Sequence, residues 1–138
     1  MIGRPAVLAG LGLLAVCPVE KAGTPQQLSV NPGDGDRVLT RYASDRTGKR
    51  PSVVLLPGTR GFEAKPRAYE RDAVALSGAG IDAYFLHYLT AADAAVLTSK
   101  TSTRESREAY DVARFDGWAQ AVSAAANTIL DREGQATG

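Results

Sequence analysis

A chain of 138 residues suffices for one domain with its own core, yet is short for most enzymes of the α/β classes. Its 16 lysines and arginines are scattered and nearly balanced by 15 acids, which excludes the basic stripe of a nucleic-acid binder. The single cysteine, Cys17, excludes an intrachain disulfide framework and a multi-cysteine metal site.

The chain opens with MIGRPAVLAGLGLLAVC, a cation at Arg4 followed by an apolar run from Pro5 to Val16. That run is too short to cross a bilayer, which takes about 20 residues, but it fits the apolar stretch of a secretory signal. Residues 1–23 are therefore expected to be a leader, and the protein to be exported to a periplasm or secreted. The end of the run, LAVC, resembles a bacterial lipoprotein box. Lipid anchoring at Cys17 is the lesser alternative, because valine precedes the cysteine where that box prefers a small residue.

The polar KAGTPQQ is a linker into a domain expected over residues 24–138. QLSV and RVLTRYA alternate with period two around the turn-forming NPGDGD, which predicts an antiparallel hairpin. SVVLLP is a continuous β-branched and leucine run, as required of a strand buried on both faces. After a glycine-bearing turn, Pro66 opens a helix in which Tyr69, Ala73 and Leu76 share a face until SGAG stops it. Ile81–Leu89, aromatic and apolar, is the next buried strand. Strand, helix and strand make a crossover, so these two strands are expected to be parallel neighbours. The polar segment Thr90–Glu108 predicts a long surface loop of the kind that borders a site. A second helix follows, with Phe115, Trp118, Val122, Ala125 and Ile129 on its buried face and Gly134 just beyond its end.

The stretch VVLLPGTRGF, Val53–Phe62, brings a buried strand to an N–H-rich turn. Phosphate cradling, dinucleotide binding and the oxyanion hole of acyl transfer all use such a turn. A phosphate loop needs four residues between its glycines and then Gly-Lys-Ser/Thr; Gly58 and Gly61 have only two residues between them and Phe62 follows. The dinucleotide fingerprint needs a third glycine and an acid at the end of the next strand, whereas Asp82 stands near its beginning. An oxyanion hole asks only for glycines that let the backbone approach a carbonyl. A purely structural βα turn would read the same way.

From Arg50 onward the sequence resembles the dienelactone hydrolase family of α/β hydrolases. The resemblance is carried by RPSVVLLPGTRGF, by YERDAVALSGAGIDAYFLHYL and by RFDGWAQAVSAAANTI, with LHYL reproducing the His-Tyr pair of some members at His87 and Tyr88. It covers about two thirds of the chain. It implies an α/β fold with a mostly parallel sheet and a hydrolase of small esters or lactones acting by nucleophilic acyl transfer, without cofactor or metal. The backbone N–H of Thr59 would be the oxyanion donor, and Gly58, Arg60, Gly61, Phe62, His87 and Tyr88 would line the substrate site. Pro57 stands where the family usually has histidine. No G-x-S-x-G occurs, so the nucleophile elbow and the later triad residues are not in this chain, which is expected to be the N-terminal half of such a domain and inactive alone. His87, the only histidine, has neither nucleophile nor orienting acid and is expected to hydrogen-bond locally.

The resemblance places a fifth strand against SVVLLP. Without it that strand is an apolar, uncharged edge, and the chain is expected to be poorly soluble, partly molten or paired with another copy. The alternative to the hydrolase is a small exported module that holds an anion or nucleotide on the Gly58–Gly61 turn and the polar loop.

Overall fold

The computed structural model describes residues 23–135. Residues 1–22, which hold most of the expected leader and Cys17, lie outside the described residues.

Strand β1 (Pro25–Val30) and strand β2 (Arg37–Tyr42) pair antiparallel with Leu28 opposite Leu39. The turn former between them works through its side chain: Asn31 Oδ1 accepts from the Gly33 N–H at 2.8 Å, closing the chain on itself. Strand β3 (Ser52–Leu55) leads through the glycine turn and a single 3-10 turn, Phe62–Ala64, into helix α1 (Pro66–Gly78). Proline stands in the first turn, where its missing N–H costs nothing. Beyond the helix end Gly80 takes φ +91°, and a Cβ there would run into the Arg46 side chain.

Strand β4 (Asp82–His87) then slots between β2 and β3, antiparallel to the first and parallel to the second, and the sheet order is β1-β2-β4-β3. The chain is thus of mixed α/β class, but the mostly parallel sheet expected from the resemblance is not what forms. A parallel pair needs a crossover, and α1 is the only helix joining two of these strands; the links 31–36 and 43–51 carry none. One parallel pair and two antiparallel pairs follow.

The polar segment expected as a loop is largely helical. Thr90 caps helix α2 (Ala91–Leu97): its Oγ1 accepts from the Asp93 N–H at 3.0 Å, and the Asp93 carboxylate accepts from the Thr90 N–H at 2.8 Å. Helix α3 (Arg104–Gln135) begins within the same segment, with Thr103 Oγ1 accepting from the Ser106 N–H. Only residues 98–103 remain as connection. At its far end α3 runs through Gly134, which sequence had placed outside the helix.

Both faces of the sheet are covered. Leu28, Val30, Leu39, Val54, Tyr84 and Leu86 pack against Ala121, Ala125 and Ile129 of α3; Tyr42, Val53, Leu55 and Ala83 pack against Ala73 and Leu76 of α1. The expected stripe on α3 is therefore nearly right, except that Phe115 is 66 % exposed. It lies about 60° around the helix from Trp118, at the rim of the buried arc, where no described element reaches it. β3 differs from expectation in a related way. Its side chains face both layers, yet it is the edge strand, so it is half-buried, and Leu56 just beyond it is 47 % exposed.

Candidate functional site

The turn after β3 is held by three hydrogen bonds, each of which spends a different group. The Gly61 N–H donates to the Gly58 carbonyl at 2.8 Å, the Gly58 N–H donates to the Tyr69 hydroxyl at 3.2 Å, and the Tyr88 hydroxyl donates to the Pro57 carbonyl at 3.2 Å. Gly61 has φ +75°, a conformation that a side chain would strain. Among the described residues the N–H groups of Thr59 and Arg60 are engaged in none of these bonds. The turn is fixed by its ends while its middle keeps two donors unspent.

The residues grouped around this turn by sequence divide in the structure. Thr59 and Arg60 line an open cavity of about 780 Å³ whose other walls come from Glu63 and Ala64, from Leu97 at the end of α2 with Thr98, Ser99 and Lys100 after it, and from Arg107 of α3. Phe62 turns toward the sheet instead: its ring lies 4.8 Å from that of Phe85, 4.9 Å from that of His87 and 5.9 Å from that of Tyr69. His87 belongs to this aromatic cluster on the α1 face, with its Nε2 3.3 Å from the Thr40 hydroxyl. Burial depresses its pKa below the ordinary histidine value, a trend only partly opposed by the carboxylate of Glu63. Tyr88 sits on the opposite face, edge-on to Trp118 at 5.7 Å. His87 and Tyr88 thus support the turn from beneath and do not line the cavity.

Sequence reading missed Lys100, Glu63 and Arg107, although it placed a site-bordering segment over residues 90–108. It also missed Asp93, for which a signal existed in T-A-A-D, a capping-box spacing ahead of an apolar run. Asp93 is fully buried and joins α2 to α3 by accepting from the Tyr110 hydroxyl at 2.8 Å, Arg114 Nε at 2.9 Å and Trp118 Nε1 at 3.2 Å. Burial pushes its carboxyl pKa up, but these bonds and that from Thr90 outweigh burial and hold it well below the usual carboxylate range. Asp82 is built alike at the other end of the sheet. Burial raises it, while Arg50, the Ser44 N–H and Arg41, at 2.7–3.1 Å, together lower it. Both carboxylates are saturated with donors, which marks them as structural rather than poised for proton transfer.

Among the described residues no group of three or more histidine, cysteine or acidic side chains is placed to hold a metal ion, and no helix is long and apolar enough to cross a membrane. Comparison with protein-family models, with curated proteins and with solved structures finds no match in any of the three.

Proposed function

We propose that this chain is the N-terminal part of a hydrolase of the dienelactone hydrolase kind, acting on small esters or lactones by nucleophilic acyl transfer. The observation that carries the reading is the unspent N–H of Thr59, in a glycine-closed turn at the end of β3 and in a residue that lines an open cavity. An oxyanion hole needs such a donor fixed before the reaction begins, so that no reorganisation is required as charge develops on the acyl oxygen. The open outer edge of β3 supports the same reading, since the resemblance pairs a further strand there, leading to the nucleophile. Oxyanion stabilisation is then this chain's contribution; attack and proton transfer belong to residues beyond it.

The test is to read the coding sequence past Gly138 and to assay the extended protein on p-nitrophenyl acetate. An in-frame G-x-S-x-G or G-x-C-x-G is expected, with turnover that the 138-residue chain lacks. In the extended protein Thr59→Pro, which removes the N–H, is expected to lower kcat by about 10²–10³, and Thr59→Val to leave it nearly unchanged. A stop codon directly after Gly138 in a stable monomer, or equal activity of the two variants, would overturn the proposal.

A further inference from the structure

We infer that the cavity beside Thr59 takes a small molecule through a doubly charged anionic group of the phosphate type, bound by Arg60, Lys100 and Arg107. The three cations come from three separate segments, the turn after β3, the connection after α2 and the first turn of α3, and converge on one cavity. None of them forms an ion pair with a described residue, in contrast to Arg104, which pairs with Glu108 one helical turn away. Against the single carboxylate of Glu63, three cations leave an excess of two positive charges on the lining.

That excess has a cost that the fold alone does not repay. Arg107 stands in the first turn of α3, where the helix dipole disfavours a cation, and it forms no ion pair with a described residue. A monocarboxylate is satisfied by one guanidinium in a bidentate pair. Three cations around one space match a group with more oxygens and two charges, and a dianion neutralises the excess. The inference deepens the hydrolase reading by naming the charge carried by its substrate, but binding needs no nucleophile and is measured on the chain itself.

The test is titration of the 138-residue chain with inorganic phosphate and with acetate at matched low ionic strength, followed by amide NMR shifts. Phosphate is expected to shift the amides of residues 59–60 and 98–107 saturably and to bind at least about tenfold more tightly than acetate. Lys100→Gln with Arg107→Gln is expected to weaken phosphate at least about tenfold, while Arg67→Gln, on α1 and outside the lining, leaves it unchanged. Acetate binding as tightly as phosphate, an unaffected double variant, or an equal loss in Arg67→Gln would each overturn the inference. Loss of esterase activity in the extended protein with phosphate binding intact would instead count against the hydrolase reading alone.

Discussion

Three titratable side chains are held by the fold in the state that acid destroys. Asp82 and Asp93 are kept ionised by donors on every side, and His87 is kept neutral by burial among Phe62, Phe85 and Thr40. In each case the folded pKa lies below the unfolded one, so the unfolded chain binds more protons as pH falls, and acid favours unfolding. For His87 the stabilisation is complete above about pH 6.5 and declines below it; for the aspartates it is complete above about pH 4 and is lost on further acidification. Thermal melts are expected to show a midpoint flat from pH 8 to about 6.5, a shallow fall below that, and a steep one under about pH 4. His87→Phe is expected to abolish the shallow fall and keep the steep one; a rise in midpoint on acidification from pH 7 to 5 would contradict this. These pairings were legible only in part. Sequence expects a local hydrogen bond for His87, whereas the hydroxyl beside it is that of Thr40, on the neighbouring strand and 47 residues away, and nothing in the spacing of residues 93, 110, 114 and 118 announces a shared carboxylate, because α2 and α3 must first cross.

At the level of elements, α2 owes its existence to its first residues. A helix of seven residues is too short to persist on propensity, so the reciprocal bonds of Thr90 and Asp93 and the burial of Leu97 have to hold it. Thr90→Ala is expected to cost about 1 kcal/mol in urea denaturation and to speed amide exchange over residues 91–97 before the rest of the chain. An unchanged midpoint with α2 still protected would show that packing suffices without the cap. The helix escaped sequence reading because its seven residues offer less than two turns of periodicity, amid threonines and serines that favour loops. α1, with proline at its start and glycine past its end, carried both signals and formed where expected. The lower rim of the cavity depends on α2, because Leu97 to Lys100 line it only when the helix returns them to the turn after β3.

For the whole molecule the open edge of β3 governs behaviour in solution. Among the described residues its backbone lacks a neighbour on one side, no charged side chain lies between Val53 and Leu56, and Val112, Phe115 and Leu130 leave further apolar surface on α3. The chain is expected to elute in size-exclusion chromatography ahead of a monomer, and Leu56→Lys to shift it toward one. A sharp monomer peak with a cooperative melt in the unmodified chain would refute this. What the sequence by itself determined was local: the hairpin, the strand-helix-strand crossover, the glycine turn and most of the α3 stripe, since alternation, helical spacing and turn residues act over a few neighbours. Tertiary structure alone decided the rest. Placing β4 between β2 and β3 made the sheet mostly antiparallel. Folding α2 and α3 back over the sheet brought Lys100 and Arg107 to Thr59 and Arg60, residues about 40 or more positions away along the chain. Periodicity carries no information about such distances, and only packed layers set them.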